Sequence, residues 1–283
     1  MQVSQYLCSR CGSVLKETSE YIEIHSIKEE CPTCGSMLAE SLEMRPLEPR
    51  IKIPPPTIQR ASALLRLRFD IPKFDSFMGL GSADLCCITG YHSNLILTRL
   101  CVRSLLPERY GGLNSPYTLI ADTGNRTDVY RAINFARQYG LNKEQVGDRI
   151  LVIRAFTVSQ VLKLLSVELP KLIRKYQIKS VVIPGLLNTI DEEPTMKQKD
   201  AKREIGRIMR AVTGLSSKVL VVTSTQHDSK YMPWVLSEFK KHINLIGEKD
   251  GMITAELDNQ GERKTVSLVE HDLKIVHPIS KSQ

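Results

Sequence analysis

The sequence predicts an α/β domain with a mostly parallel sheet flanked by helices. An antiparallel meander closes it and a small cysteine-bearing module precedes it. Three observations predict this. From residue 85 onward, short apolar runs alternate with longer stretches of helical periodicity. The runs Val-Val-Ile at 181–183 and Val-Leu-Val-Val at 219–222 lack polar alternation, as expected of strands buried on both faces. Before residue 50, two Cys-x-x-Cys pairs stand nineteen residues apart.

The cysteine module comes first. Cys8 and Cys11, then Cys31 and Cys34, form two near-copies of one knuckle, each followed by Gly-Ser. A two-residue gap lets both sulfurs of a knuckle reach one tetrahedral ion, and the glycine permits the turn behind them. Four thiolates leave no open coordination position, so the pattern predicts a structural zinc ribbon over residues 1–43. So short a segment cannot bury enough apolar surface alone, and the ion supplies folding energy. A redox Cys-x-x-Cys would stand alone, ahead of a helix. Alternation at 21–26 predicts a short strand or hairpin, and His25 reads as a surface histidine.

Residues 44–56 read as a linker stiffened by Pro54, Pro55 and Pro56. Thr57 is placed to cap a helix running through Ala61, Leu64, Leu65 and Leu67. The large domain then occupies 57–277. Strands are predicted at 85–89, 117–121, 149–153, 180–183 and 218–223. Helices are predicted at 95–106, 127–139, 158–176 and 199–212. Strand-like runs at 243–246, 252–257 and 265–269, separated by turn-forming stretches, predict the closing meander.

Composition bounds the function. With 283 residues and 42% hydrophobic content, a wholly disordered chain is excluded. No run of 18 uncharged apolar residues exists, so no membrane span or membrane partner is expected. The first ten residues lack a basic region followed by an apolar run, which argues against secretion. Seven cysteines, four of them in knuckles, point to metal and a reducing compartment, cytoplasm or nucleus. The net charge of +8 is uneven: residues 1–49 carry −4 and the rest +12. A basic large domain suits DNA or an acidic protein surface, although such charge also serves solubility alone.

The order of segments in the large domain resembles the core of the RecA/RadA family of recombinase ATPases. Residues 72–81 (Pro-Lys-Phe-Asp-Ser-Phe-Met-Gly-Leu-Gly) resemble the lead-in to the family's phosphate loop. Residues 85–90 (Leu-Cys-Cys-Ile-Thr-Gly) resemble its first core strand and the loop's first glycine. Leu119-Ile-Ala-Asp122-Thr123, the stretches 140–142 and 149–156, 179–184 and 219–226 are similar to the family's following strand ends, as is the meander. The resemblance spans roughly 58–272 and implies a RecA-like fold.

The family's chemistry is not implied. Its phosphate loop needs Gly-x4-Gly-Lys-[Ser/Thr], in which amides face the phosphates, the lysine neutralises them and the hydroxyl holds magnesium. Here Leu95 stands at the second glycine, Ile96 at the lysine and Leu97 at the hydroxyl. Shifting register to use Thr98 puts Leu97 at the lysine. Gly124 replaces a water-activating glutamate, and Pro184 replaces the aspartate that closes the Walker B strand. Asp122 and Gln226 remain at matching strand ends, and Asp122 reads as a local hydrogen-bond acceptor or helix cap, with residual nucleotide contact as the alternative. His92 sits in the former phosphate loop, where it faces solvent or meets an anion. No catalytic residues and no ATP are expected, so the chain reads as a degenerate, non-enzymatic paralogue.

The segments matching the family's DNA-contact loops are also altered. The first carries Asp191, Glu192 and Glu193, which would repel a phosphate backbone unless turned to solvent. In the second, Lys230, Tyr231 and Trp234 are candidates for nucleic-acid contact by charge and stacking, or else part of an amphipathic helix. Phe69 lies near the family's polymerisation motif, but its neighbours do not match, so self-filaments are not expected. Cys86, Cys87 and Cys101 read as small core residues, and no Ser-His-Asp pattern or carboxylate pair stands out. The expectation is an accessory subunit in DNA recombination or repair, paired with a RecA/RadA-like or other protein and in weak contact with DNA at most. The alternative is a structural zinc-ribbon subunit of a replication, transcription or RNA-modifying assembly.

Overall fold

The computed structural model describes residues 4–8, 14–18, 33, 42–46, 66–225, 229–247, 249–274 and 276. The chain divides into two compact units, Met1–Ile58 and Gln59–Gln283.

The first unit holds a three-stranded antiparallel sheet. Strand β1 (Ser4–Cys8) lies between β2 (Val14–Thr18) and β3 (Leu42–Pro46), with Leu7 opposite Val14 and Cys8 opposite Leu42. The register shifts between Tyr6 and Leu7. A boundary at residue 43 therefore falls inside a strand. Pairing with β1 carries the sheet to Pro46, and the compact unit runs on to Ile58. The hairpin expected at 21–26 lies outside the described residues.

The second unit opens with a correction. Instead of ending a helix, Arg66–Leu67 form a two-residue strand, β4, paired antiparallel with β5 (Leu80–Gly81). Between them the short helix Pro72–Asp75 buries Phe74, whose ring meets Phe69 edge-on at 5.6 Å. Phe69 is fully buried here.

An eight-stranded sheet follows. Its strands are β6 (Leu85–Gly90), β7 (Thr118–Asp122), β8 (Ile150–Arg154), β9 (Ser180–Ile183), β10 (Leu220–Thr225), β11 (Lys241–Gly247), β12 (Met252–Asn259) and β13 (Glu262–Val269). Their order across the sheet is β13-β12-β11-β6-β10-β9-β7-β8. The strands from β11 through β8 run parallel, and β11, β12 and β13 form the antiparallel meander. Every residue of β7, β9 and β10 is buried, which is why Leu119–Ala121, Val181–Ile183 and Leu220–Val222 read as unbroken apolar runs.

Helices cover both faces and make two cores. One core joins Ile88, Leu97, Phe135 and the meander's Ile253 and Leu257. The other joins Leu165, Ile173, Ile208 and Val212 to Cys87, Val181 and Val221. Alternate residues of one strand thus serve opposite layers: Cys86 lies in the first core and Cys87 in the second. The predicted 158–176 helix is continuous but widens at Leu164–Glu168 into a π turn, where Leu169 N–H donates to Leu164 C=O. Pro170 follows, and without an N–H it cannot continue the α pattern from Ser166.

Among the described residues no helix is long and apolar enough to cross a membrane.

Candidate functional site

The loop after β6 is where a RecA-like fold would grip phosphates, and here it is tight. Gly90 has φ 83° and lies against β11: a Cβ on it would sit 2.0 Å from the Leu245 carbonyl oxygen. The next amide, Tyr91 N–H, donates to that carbonyl at 2.8 Å instead of facing the cleft. His92 turns left-handed (φ 60°), and the helix Ser93–Ser104 begins at once.

That helix is buried around nearly its whole circumference, so its aliphatic run packs rather than binds. Leu95, Ile96 and Leu97 all lie in the first core. Ile96, standing where a lysine would meet phosphate, is 1% exposed. The Thr98 hydroxyl donates to Asn94 C=O at 2.8 Å within its own helix. Ahead of the helix, His92 Nε2 meets Glu270 Oε1 at 2.7 Å, and Lys274 Nζ meets the same oxygen at 2.7 Å. Hydrogen bonds from Lys274 and then His92 hold the Glu270 carboxyl below its usual range.

The ends of β7 and β9 close a second part of the site with backbone. Gly124 and Gly185 approach so nearly that a Cβ on Gly124 would lie 3.0 Å from Gly185 Cα and 2.8 Å from Asn188 Nδ2. A side chain at 124 would require the Asn188 amide to move and the Gly185 backbone to give by a few tenths of an ångström. Thr123 Oγ1 lies 3.0 Å from Pro184 C=O and 3.1 Å from Gly185 C=O, tying the two loops together.

Asp122 is buried, and its carboxylate is fully occupied. It accepts from Arg126 N–H at 2.9 Å and Thr127 N–H at 3.2 Å, and Arg154 Nε approaches at 3.4 Å. This matches its reading as a local acceptor. The helix cap is its neighbour Asp128, which accepts from Arg131 N–H at the start of Val129–Gln138. From β10, Ser224 Oγ donates to Asn94 Oδ1 at 2.8 Å and accepts from Gly185 N–H at 3.1 Å. Gln226 lies outside the described residues.

These loops border a cleft of about 650 Å³ at the carboxyl ends of the strands. Arg126, Arg131 and Asn188 line it beside the helix start. Sequence reasoning gave these three no role. The usable signal is the glycine pair: Gly124 and Gly185 follow adjacent parallel strands at nearly the same height, which marks a close backbone approach.

Elsewhere, Tyr231 is 2% exposed and belongs to the second core, so its ring cannot stack on a base. It packs on Trp234 with centroids 5.1 Å apart, and the core-packing reading holds for it, Val235 and Phe239, with Leu236 partly buried beside them. Trp234 is partly exposed, with Lys202 Nζ 5.9 Å above its ring; Lys230 is exposed. Glu192 and Glu193 face solvent. Cys86, Cys87 and Cys101 are buried, and burial pushes the Cys86 and Cys101 thiols up to about 12, which keeps them unreactive. Of the four cysteines read as zinc ligands, Cys8 closes β1; Cys11, Cys31 and Cys34 lie outside the described residues.

The comparison with protein families decides the lineage. The Rad51 family model matches residues 74–227, just over half of the chain. The chain belongs to the Rad51 family. The match starts in the Pro72–Asp75 helix and ends just past β10, so it takes in both loops just described. No curated protein matches the chain. Family membership makes this a RecA-like protein related to recombination and repair. Within the matched span, the loop after β6 leads into a helix packed with aliphatic side chains, and the loops after β7 and β9 meet at Gly124 and Gly185.

Proposed function

We propose that this Rad51-family chain is a non-catalytic accessory subunit in DNA recombination or repair, working through a RecA/RadA-like or other protein partner. The burial of Leu95, Ile96 and Leu97, at the positions that would cradle, neutralise and coordinate a triphosphate, carries the reading. Phosphoryl transfer is positioning plus electrostatic stabilisation. A loop without lysine, free hydroxyl or carboxylate supplies neither. The fold does not need a nucleotide to hold together, because two full cores flank its sheet. What the family's architecture then offers is surface, and the basic large domain suits an acidic partner or weak DNA contact.

In this reading the first unit is a zinc ribbon. Cys8, Cys11, Cys31 and Cys34 would supply four thiolates, a donor set that suits a closed tetrahedral zinc. The ion would brace the small sheet and carry no chemistry. Such a ribbon is a docking module, which also supports the second reading, a structural subunit of a replication, transcription or RNA-modifying assembly.

Co-purification from native extract with identification of the partners separates the two. A recombinase-like partner is expected. A partner set drawn only from transcription or RNA modification would favour the second reading, and a chain that is monomeric with affinity for neither recombinase nor DNA would sink the first.

A further inference from the structure

The amino ends of the sheet strands, away from the cleft, carry arginines that nothing in the molecule neutralises. We propose that the groove between β4 and the turn at residues 108–112 is a docking site for an acidic segment of a partner protein, gripped by Arg66, Arg68 and Arg109.

The β4–β5 hairpin leads into β6 and residues 108–112 lead into β7, which places the groove at that end of the sheet. It measures about 430 Å³, and all three arginines line it. Strand alternation explains two of them. Along Arg66-Leu67-Arg68-Phe69 the apolar residues are buried and the arginines exposed, so Arg66 and Arg68 share the outer face. Arg109 comes from the single turn Glu108–Tyr110, and its guanidinium lies 4.9 Å from the centroid of the Tyr110 ring.

The guanidinium groups are held in place without being paired. A Cβ on Gly79 would lie 3.1 Å from Arg66 Cδ, and a Cβ on Gly111 would lie 2.9 Å from Arg68 Cδ. Both arginine stems therefore rest against backbone that glycine leaves bare. Buried Arg103 joins the two walls: its Nε donates to Arg68 C=O at 2.6 Å and its Nη2 to Tyr110 C=O at 2.8 Å. Arg68 N–H donates across to Gly111 C=O at 2.9 Å. Arg103 has its own counter-charge, Asp70, at 3.6 Å. Arg66, Arg68 and Arg109 have no ion pair among the described residues. Stems laid down in advance lose little freedom on binding, and a guanidinium fork matches a carboxylate with two hydrogen bonds.

The occupant follows from the pattern of charge. Asp75 and Glu108 also line the groove. Asp75 accepts from Phe69 N–H at 2.6 Å, whereas Glu108 is exposed. A phosphate backbone carries charge at every step and would meet repulsion at Glu108. A peptide can set its carboxylates at the arginines and an uncharged residue beside Glu108. The half-buried Phe77 ring in the lining suits such a residue. The choice of a protein occupant rests on the accessory-subunit reading.

Fluorescence polarisation of the full chain with labelled oligoglutamate, oligoglutamine and oligothymidylate of equal length is the test. Oligoglutamate should bind and oligoglutamine should not. The paired change Arg66→Glu with Arg68→Glu should weaken oligoglutamate binding roughly tenfold or more. The same charge change at an exposed site on the helix Gln198–Ser216, Lys199→Glu with Lys202→Glu, should cost about threefold at most. Arg109→Glu should also weaken binding, and because it lies outside the hairpin that result does not depend on the stability of β4. Thermal unfolding of each variant confirms that it is folded.

Oligoglutamate binding weaker than about 1 mM overturns the proposal. So does equal weakening by the two charge pairs, which would mean general attraction to a basic domain. Oligothymidylate that binds more tightly than oligoglutamate, and is lost on changing Arg66 and Arg68, overturns it in favour of a nucleic acid. None of these results touches the non-catalytic reading, which ATP turnover tests separately.

Discussion

In the proposed reading, the loop after β6 and the loops after β7 and β9 have both left the ATPase pattern, but by different physical routes. After β6, side chains did it: Leu95, Ile96 and Leu97 occupy the space and join the core. After β7 and β9, close packing did it: a Cβ on Gly124 would meet Asn188 Nδ2 at 2.8 Å and Gly185 Cα at 3.0 Å. Substitution can rewrite side chains one by one. A side chain at 124 needs both Asn188 and the Gly185 backbone to shift. The second loss is therefore the deeper one, and restoring the first alone should not restore activity.

The sharpest way to break that comparison is Ile96→Lys, which puts a lysine back where the family has one. The site is buried, so the ammonium would be unpaired in a core, and we expect about 3–5 kcal/mol of destabilisation with no gain in ATP turnover. Chemical denaturation measures the first and a phosphate-release assay the second. Unchanged stability would mean that the helix start is open, contrary to the packing described.

Gly90→Ala comes next, at about 3 kcal/mol. Its Cβ would strike the Leu245 carbonyl, and φ 83° is disfavoured for alanine. Gly124→Ala should cost less, about 1–2 kcal/mol, since part of the clash is with the Asn188 side chain. If it were neutral, the glycine contact would be incidental and the distinction between the two losses would weaken.

The smallest effect is a pH dependence. His242 is half-buried, and desolvation lowers its affinity for a proton, with Asp258 and Glu256 partly opposing. The folded state then binds fewer protons than the unfolded chain, so stability rises with pH through the window below about 6.5 and is lost as pH falls. Denaturation midpoints of His242→Asn should vary less with pH over that window than those of the unaltered chain.

Much of the large domain was legible in the sequence. The strands of the parallel sheet and the meander stand within a few residues of their predicted places, because fully buried strands leave unbroken apolar runs. The identity of the altered loop residues was legible too, since Leu95 and Ile96 need no structure to be recognised as departures from the Gly-Lys pair of a phosphate loop. What escaped was tertiary. Arg66–Leu67 carry a helical apolar spacing, yet pairing with Leu80–Gly81 makes them a strand. Tyr231 looked equally fit for stacking or packing, and only the fold shows its ring covered. Gly124 read as a missing carboxylate; that it also fills the space depends on Gly185, more than sixty residues on.

The central claim is that the nucleotide cradle is occupied by the protein itself. The most direct test is ATP hydrolysis by the purified full chain with magnesium, beside the same chain with Thr98→Ala or Asp122→Asn. No turnover above a buffer blank, in any of the three, is the predicted result. Turnover that falls in either variant would contradict it.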